Sequence, residues 1–343
     1  MTANTLQITV SVVVPVFNRS QELRRVLAAL ARQSLPRERF EMLICDDGST
    51  EDLGTLIDEF RQTSGLCGRH LKQTNQGAGS ARNLGLAEAS GEIVAFTDSD
   101  CEPDENWLVE LTEPFVDREV GIVGGLVDSL MAEHLSGRCV NFLMSSSLGA
   151  GGARDPRSVI RMSYYPRAGN MAVRRQLAIS AGRFPRASHG EDLEFSGKII
   201  HQGYRAEFAS AARVLHNEKR SLREVLREAF RKGHARVRLA RQCEMHELIH
   251  TIPALFCLYL AALPLGCWIT REWPHARYFM LLPGVGYTVV LAVLSLQAAI
   301  AFRSVAVGVA VPLYTLLLHG GYGMGYIIGW LKLIFVRSAA RRA

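Results

Sequence analysis

Residues Gly91–Pro103 read GEIVAFTDSDCEP, and this stretch decides the fold predicted for the chain. Its apolar part, Ile93–Phe96, has the continuous hydrophobic pattern of a strand buried on both faces of a parallel sheet. The carboxylates of Asp98 and Asp100 follow directly and need a compensating charge, which a divalent cation carrying a diphosphate would supply. The alternative is a turn or a helix cap, because Asp and Ser favour both positions. Cys101 is expected to be a small packed thiol.

Strand and helix patterns alternate up to this stretch. Strands are predicted at Ile8–Val16, Glu41–Cys45 and His70–Lys72, and helices at about residues 20–33, 53–60 and 80–89, with Ser20 as the cap of the first helix. The alternation is typical of an α/β fold with a doubly wound, mainly parallel sheet. Ligands bind such sheets beyond the carboxyl ends of the strands. We therefore expect four loops to meet at one edge: Phe17-Asn18-Arg19, Asp46-Asp47, Asn75–Gly79 and Asp98–Asp100.

Gly77 and Gly79 partly match a dinucleotide-binding fingerprint. The third glycine of that fingerprint is replaced by Arg82, and no acidic residue follows at the expected distance. This disfavours a Rossmann cofactor site. Arg82 lies on the first turn of a predicted helix, where it could reach a phosphate. The alternative is a solvated helix arginine.

The sequence after residue 120 is rich in Gly and Ser. One more strand is predicted at Gly121–Leu130, and Arg138–Ala153 is predicted to be a mobile loop. A helix is predicted to begin at Glu191 and Asp192. Carboxylates at a helix start interact favourably with the helix dipole. The functional alternative makes one of them a general base.

The charge of the chain is unevenly distributed. The 343 residues carry a net charge of +6 with a pI near 9.0, and much of the excess lies in residues 219–241. This basic block precedes an apolar region, so a membrane surface with anionic lipids is a better partner than nucleic acid. The seven cysteines include no CxxC pair, which argues against a zinc ribbon or a disulfide framework.

The C-terminal part has the composition of a membrane region. Ser221–Arg241 is predicted to be a basic amphipathic helix in the membrane interface, the alternative being a helix packed on its own soluble domain. Uncharged stretches at about residues 248–270, 278–302 and 304–331 are long enough to span a bilayer. His319–Gly323 interrupts the third stretch. Three full spans would place the basic C-terminus outside, so two to three spans are predicted.

Several of these motifs together resemble one family. Val12–Ser20, Asp46–Ser49, Asn75–Gly85, Phe96–Asp100 and Gly190–Glu194 look like the motifs of a family 2 glycosyltransferase of GT-A fold, over roughly the first 220 residues. The C-terminal spans are similar to those of membrane-anchored bacterial members. The QxxRW motif of processive synthases is not present, which argues against processive polymer synthesis.

The resemblance implies roles for individual residues. Asp192 would be the catalytic base with Glu191 beside it, and Asp98 and Asp100 would be the DxD pair, with Asp100 the more direct ligand of Mg²⁺ or Mn²⁺. His216 falls where some GT-A enzymes place a further metal ligand, and Gly169-Asn170 resembles the stretch lining the acceptor side. The nucleotide-sugar site would include Pro15, Phe17, Asn18, Arg19, Asp47, Gly77, Arg82, Asp98 and Ser99.

The predicted organisation is a GT-A domain at residues 1–218, an interface helix at 219–246, a transmembrane region at 247–336 and a basic tail at 337–343. The resemblance implies an inverting, metal-dependent transferase in the bacterial inner membrane with its catalytic domain in the cytoplasm. It would move a sugar from a nucleotide-diphosphate sugar to a lipid-linked or membrane-proximal glycan. The alternatives are an inactive scaffold of the same fold, which binds a nucleotide sugar or a partner protein, and a nucleotidyltransferase, which would use triphosphates.

Overall fold

The computed structural model describes residues 9–128, 134–151, 164–185, 189–216, 221–245 and 248–340. The chain forms two compact units. The first comprises residues 1–132 and 163–218, and the second comprises residues 133–162 and 219–343. Lys219, Arg220 and the last three residues of the basic tail lie outside the described residues.

The first unit is built on one mixed sheet of eight strands. They are β1 (Val10–Val16), β2 (Phe40–Asp46), β3 (Gly68–Lys72), β4 (Ile93–Thr97), β5 (Cys101–Pro103), β6 (Val120–Asp128), β7 (Asn170–Arg174) and β8 (Arg205–His216). Their spatial order is β3-β2-β1-β4-β7-β6-β8-β5. The strands β3, β2, β1 and β4 are parallel, whereas β7 runs antiparallel to both of its neighbours. The predicted α/β class with a largely parallel sheet is confirmed.

Twelve α-helices complete the described chain. They are α1 (Ser20–Ala31), α2 (Leu53–Ser64), α3 (Ala78–Glu88), α4 (Trp107–Thr112), α5 (Leu135–Ser145), α6 (Ser147–Ala150), α7 (Arg175–Ser180), α8 (Glu191–His201), α9 (Leu222–Gln242), α10 (Ile252–Ile269), α11 (Pro274–Ala301) and α12 (Val305–Ala340). In the first unit, two apolar clusters cover the sheet, one containing Val12 and Val14 and the other containing Val13 and Phe96. Successive side chains of β1 thus enter opposite clusters, as expected for a strand buried on both faces.

The prediction that Ser20 caps α1 is wrong. The N-cap residue is Arg19, and Ser20 is the first residue of the helix. The backbone N–H of Ser20 donates instead to the Glu51 carboxylate, at 2.8 Å. A carboxylate from a distant loop therefore accepts a hydrogen bond from the N–H at the start of the helix. A local hydroxyl is the more common partner of such an N–H group.

The chain beyond β4 returns to the sheet. Residues 101–103 form β5, which pairs antiparallel with β8 and places Cys101 opposite His216. This pairing brings a histidine from the end of the first unit next to the acidic residues that follow β4.

The second unit corrects the prediction for Arg138–Ala153. Residues 135–145 and 147–150 are helical, and Cys139, Val140 and Leu143 are buried in an apolar cluster with residues of α11 and α12. Gly and Ser had suggested a loop, but the apolar side chains between them face other helices of the unit. Residues 152 and 153 lie outside the described part.

Three helical segments in the second unit are long and apolar enough to cross a membrane: Leu248–Glu272, Pro274–Ala301 and Val305–Phe335. The expected interruption at His319–Gly323 is wrong, because α12 continues through it. The glycines there serve packing: a Cβ on Gly321 would lie 2.8 Å from the Leu226 carbonyl oxygen, and one on Gly325 would lie 2.0 Å from that of Phe230. Helix α9 begins with the capping box Ser221–Glu224 and packs against this glycine-rich face.

Gly85 lies where α3 crosses the sheet, and its replacement should be costly. A Cβ at this position would lie 2.5 Å from Val13 Cγ1 and 2.8 Å from Cys45 Sγ. We expect Gly85→Ala to lower the free energy of unfolding by about 1–3 kcal/mol through overpacking. The helix glycine Gly54 is the matched control, because its Cβ would meet no atom closer than 3.4 Å. Gly54→Ala should leave stability unchanged or raise it by up to about 1 kcal/mol. Thermal unfolding of both variants tests this, and equal effects would contradict it.

Candidate active site

Asp98 follows β4 and pairs with the helix that carries Arg82. The guanidinium of Arg82 donates from Nη2 to Asp98 Oδ1 at 2.7 Å. Arg82 is 5% exposed, so its charge is held inside the protein and requires a partner. The alternative of a solvated helix arginine is therefore wrong.

The same guanidinium reaches α8. Arg82 Nη1 lies 3.3 Å from Glu191 Oε1, and the guanidinium carbon is 5.6 Å from the centre of the Phe184 ring. Burial and the neighbouring Asp192 raise the pKa of Glu191 above its ordinary value, although Arg82 opposes this shift. Arg82 thus joins the DxD loop to the acidic start of α8.

Asp192 has different surroundings. Its Oδ2 lies 3.9 Å from Arg167 Nη1, and its Oδ1 accepts a hydrogen bond from the backbone N–H of Leu193 at 2.8 Å. The side chain is about one-fifth exposed. A partly exposed carboxylate can be reached from solvent, and a general base must come within hydrogen-bond distance of the proton that it removes.

Asp100 lies between two basic side chains. Its Oδ2 pairs with the guanidinium of Arg19, and its Oδ1 is 3.6 Å from His216 Nε2 and 3.8 Å from the Cys101 thiol sulfur. Burial alone would raise the pKa of Asp100, but His216 and Arg19 more than offset it and hold the pKa well below its usual range. Asp100 is therefore an ionised carboxylate in a buried position, where a cation can be bound.

Gly169 lies against the loop that carries Asp98 and Cys101. A Cβ on Gly169 would be 3.0 Å from Asp98 Oδ2 and 3.6 Å from Cys101 Sγ, so the absence of a side chain there keeps the carboxylate uncovered. Asn170 is 2% exposed and braces the sheet: its Oδ1 accepts from Trp107 Nε1, and its Nδ2 donates to the carbonyls of Leu126 and Ala212. Gly169 thus lies against the Asp98 carboxylate, whereas the Asn170 side chain forms hydrogen bonds to Trp107, Leu126 and Ala212.

Asp47 organises the loop between β3 and α3. Its Oδ1 accepts from Gln73 Nε2 at 2.7 Å and from the Gln76 N–H at 2.9 Å, and its Oδ2 accepts from the Gly77 N–H at 2.8 Å. Gly77 has φ of 90°, a conformation that favours glycine. The Asp47 carboxylate therefore fixes the turn that leads into the helix of Arg82.

The remaining predicted donor residues occupy the adjoining strand ends. Pro15 is buried in β1, whereas Phe17 is 45% exposed. Asn18 adopts φ of 50°, and its Oδ1 accepts from the Thr50 N–H at 2.9 Å, which ties the first loop to the second. Ser99 is 5% exposed between the two aspartates. Four loops distant in sequence are thus cross-linked along one edge.

Three site residues were not assigned a site role from the sequence. Cys101 was predicted to be a packed thiol, and its location next to His216 depends on the β5–β8 pairing. Arg167 and Phe184 carry no local motif, and only the folded chain places them near Asp192 and Arg82. The closest residues with a predicted site role were Gly169-Asn170 for Arg167 and the acidic pair at residues 191–192 for Phe184.

The donor atoms at Asp100 and His216 suit a divalent cation. A carboxylate oxygen and an imidazole nitrogen are ligands that Mn²⁺ accepts, and Mg²⁺ uses one or two carboxylates together with phosphate oxygens. Asp98 shares the same loop and offers a second carboxylate that is about one-third exposed. The residues present therefore fit such an ion.

Comparisons with known proteins identify relatives of this chain. The model of the family described as Glycosyl transferase family 2 matches residues 11–165. Glycosyltransferase AglE of Haloferax volcanii is 27% identical over 237 residues, covering 67% of this chain and 73% of that protein. The pre-mycofactocin glycosyltransferase of Mycobacterium tuberculosis is 31% identical over 232 residues, covering 66% of this chain but 46% of that protein.

Two solved structures share the fold. The mannosyltransferase PcManGT of Pyrobaculum calidifontis, solved with GDP-Man and Mn²⁺, has a TM-score of 0.63 at 20% identity and covers 90% of this chain and 88% of its own. TarS of S. aureus has a TM-score of 0.50 at 19% identity, covering 85% of this chain and 49% of its own. Together with the family match and the curated relatives, these findings show that the chain is a glycosyltransferase of GT-A fold whose residues 11–165 match glycosyl transferase family 2.

Proposed function

We propose that the protein is an inverting, metal-dependent glycosyltransferase that moves a sugar from a nucleotide-diphosphate donor to a lipid-linked or membrane-proximal glycan. The observation that carries this proposal is the buried Arg82, which bridges Asp98 on the donor side and Glu191 beside the base. Through these two ion pairs, Arg82 would keep the donor-binding loop and the proposed base close together.

The ion-binding side of the site would consist of Asp100 and His216, with Asp98 adjoining. When bound, a divalent ion supplies Lewis-acid stabilisation of the negative charge on the departing nucleoside diphosphate. The use of Mn²⁺ is supported by the donor atoms described above and by its presence in the structure of PcManGT. Asp47, Asn18 and Phe17 would receive the nucleotide at the neighbouring strand ends.

On the acceptor side, Asp192 would take the proton of the attacking hydroxyl. Attack from the face opposite the leaving group gives a single displacement with inversion, as in inverting glycoside hydrolysis. Arg167 approaches the same carboxylate and would orient it. Glu191 is held by Arg82 and would fix the start of α8 against the DxD loop.

The three long apolar helices and the exposed arginines of α9 support a membrane location. We propose that the apolar helices anchor the protein in the bacterial inner membrane and that the catalytic domain lies in the cytoplasm, where nucleotide sugars are made. Acceptors embedded in the same membrane would then reach the site by diffusion in two dimensions.

Replacing Asp192 and replacing Asp100 should impair different steps of the reaction. Asp192→Asn should leave donor binding within about threefold of wild type while lowering transfer about 10²–10⁴-fold, because it removes the proton acceptor. Asp100→Ala should instead weaken Mn²⁺-dependent donor binding by about tenfold or more, because it removes a charged ligand. Calorimetric titration of the full-length protein in detergent with UDP-, GDP- and dTDP-sugars measures donor binding by both variants, and release of the nucleoside diphosphate measures turnover. Asp58→Asn, on the surface of α2, is the control.

Two outcomes would contradict the proposal. If both variants lost donor binding equally, the separation of roles between Asp100 and Asp192 would be wrong. If wild type bound nucleotide sugars and metal but gave neither transfer to an acceptor nor hydrolysis of the donor, the inactive scaffold would be the better interpretation.

The pairing of Arg82 with Glu191 predicts a pH effect. Because the guanidinium lowers the pKa of Glu191, Arg82→Gln should raise that pKa further. The Glu191 carboxylate, beside the proposed base, would then become protonated at higher pH. The acidic limb of the kcat/KM profile should therefore move to higher pH. Arg61→Gln, which removes a surface pair with Asp58, should leave the limb in place. A shift to lower pH, or an equal shift in both variants, would contradict this assignment.

A further inference from the structure

The second half of α12 packs against α9, and the two helices run in the same direction. A Cβ on Gly321 would lie 2.8 Å from the Leu226 carbonyl oxygen, and a Cβ on Gly329 would lie 2.9 Å from Val237 Cγ2. Residue numbers rise together along both helices between these two contacts. Contact between parallel helices over this length means that α9 must follow the path that the second half of α12 takes relative to a membrane.

Helix α9 is too highly charged to cross a bilayer. Its 21 residues include seven Arg or Lys and two Glu. A charged side chain at the centre of the hydrocarbon is strongly unfavourable, and a helix that carries seven basic side chains is excluded from a transmembrane path. Because the second half of α12 runs alongside α9, it is excluded from such a path as well.

The first half of α12 is tied to α5. Val307, Val311 and Tyr314 belong to the apolar cluster that also contains Cys139 and Val140 of α5. Helix α5 has 11 residues and is therefore about 16 Å long, whereas the hydrocarbon core is about 30 Å thick. The helix that covers the start of α12 is thus too short to span a membrane.

The helices α5 and α9 both begin close to the first unit along the chain. Strand β6 ends at Asp128 and α5 begins at Leu135, while β8 ends at His216 and α9 begins at Leu222. Connections of this length reach at most about 25 Å when fully extended, which is less than the thickness of the core. The first unit, α5, α9 and both halves of α12 therefore belong on one side of the membrane.

The helices α10 and α11 form a hairpin with different properties. The Tyr259 hydroxyl donates to the Met280 carbonyl at 2.9 Å, which pairs the two helices near their turn. Their most apolar windows are only 6% buried, so nearly all of this apolar surface is uncovered within the described part of the chain. Aromatic and charged residues surround the turn: Trp268, Arg271, Glu272, Trp273 and Arg277. Such residues are enriched where a helix meets the membrane–water interface.

The lengths of these helices fit one crossing in each direction. Helix α10 has 18 residues, which is about 27 Å of helix, and α11 has 28 residues, which is about 42 Å. Because α11 is longer than the hydrocarbon core, its last turns extend beyond it. There Leu294 and Ala298 are fully buried in the apolar cluster with α5.

We propose that only the α10–α11 hairpin crosses the membrane and that α12 lies along the membrane surface, packed on α5 and α9. The inference rests on the proposed membrane location and adds the path of the chain through the bilayer. Lipid hydrocarbon is then the partner of the hairpin. The C-terminus, with Lys332, Arg337, Arg341 and Arg342, lies on the same side as the first unit, which agrees with the positive-inside tendency.

The first test locates two points of the full-length chain in bacterial cells. A short epitope tag follows Ala343 in one version and is inserted after Glu272 in another. Protease added to spheroplasts should digest the tag after Glu272 and spare the C-terminal tag, and protease added to inside-out membrane vesicles should do the opposite. Digestion of the C-terminal tag in spheroplasts would show three crossings, and protection of the tag after Glu272 would show that the hairpin does not cross. Either result would overturn the inference.

The second test compares two matched leucines. Leu260 lies at the centre of Leu248–Glu272, Leu316 lies near the centre of Val305–Phe335, and each is 47% exposed. Leu260→Lys should lower the ratio of membrane-integrated to alkali-extracted protein about fivefold or more, because lysine is strongly disfavoured at the centre of a transmembrane helix. Leu316→Lys should leave this ratio within about twofold of wild type. Equal losses in the two variants would contradict the surface location of α12.

The outcome is separable from that of the proposed function. A C-terminal tag on the outer side of the membrane in a protein that still transfers sugar would refute the path of α12 and leave the transferase assignment in place. The expected tag pattern in a protein that binds no nucleotide sugar would support this path and refute that assignment.

Discussion

A buried arginine between two carboxylates is the constraint on which the site depends. Arg82 is nearly inaccessible to solvent, and a buried charge in a medium of low polarity requires nearby opposite charges. Its partners, Asp98 and Glu191, come from the end of a central strand and the start of a helix far along the chain. The pairing therefore couples the loop that is proposed to hold the donor to the helix that is proposed to remove the acceptor proton.

The sheet provides the positions for this coupling. Its parallel half aligns the ends of β1, β2, β3 and β4, so their loops share one edge. The antiparallel β7 then brings Gly169 against Asp98, and the short β5 draws His216 to Asp100. Buried polar groups beneath the site, such as the Asn170 amide with its three hydrogen bonds, hold these strands in register. Fixed geometry of this kind reduces the reorganisation needed when charge develops during transfer.

The second unit shows how composition and packing can lead to different conclusions. Gly and Ser in residues 138–153 suggested a loop, and the glycines after His319 suggested a break in the last apolar segment. In the fold the first stretch is largely helical, and the second lies within one continuous helix whose glycines allow α9 to approach closely. Small residues at helix interfaces have this role in membrane proteins, where close backbone contact contributes to association. Glycine therefore marked packing sites here rather than ends of elements.

The sequence by itself determined the alternation of strands and helices up to β4, the sheet class and the acidic pairs, because hydrophobic periodicity and polar residues at strand ends are local properties. It also determined the three apolar segments. Only the tertiary structure decided which charges meet: the Arg82 bridge to Glu191, the approach of Arg167 to Asp192 and the grouping of Cys101 with His216 all join residues far apart in sequence or brought together by strand pairing. Such contacts follow from strand order and register, which no local pattern specifies.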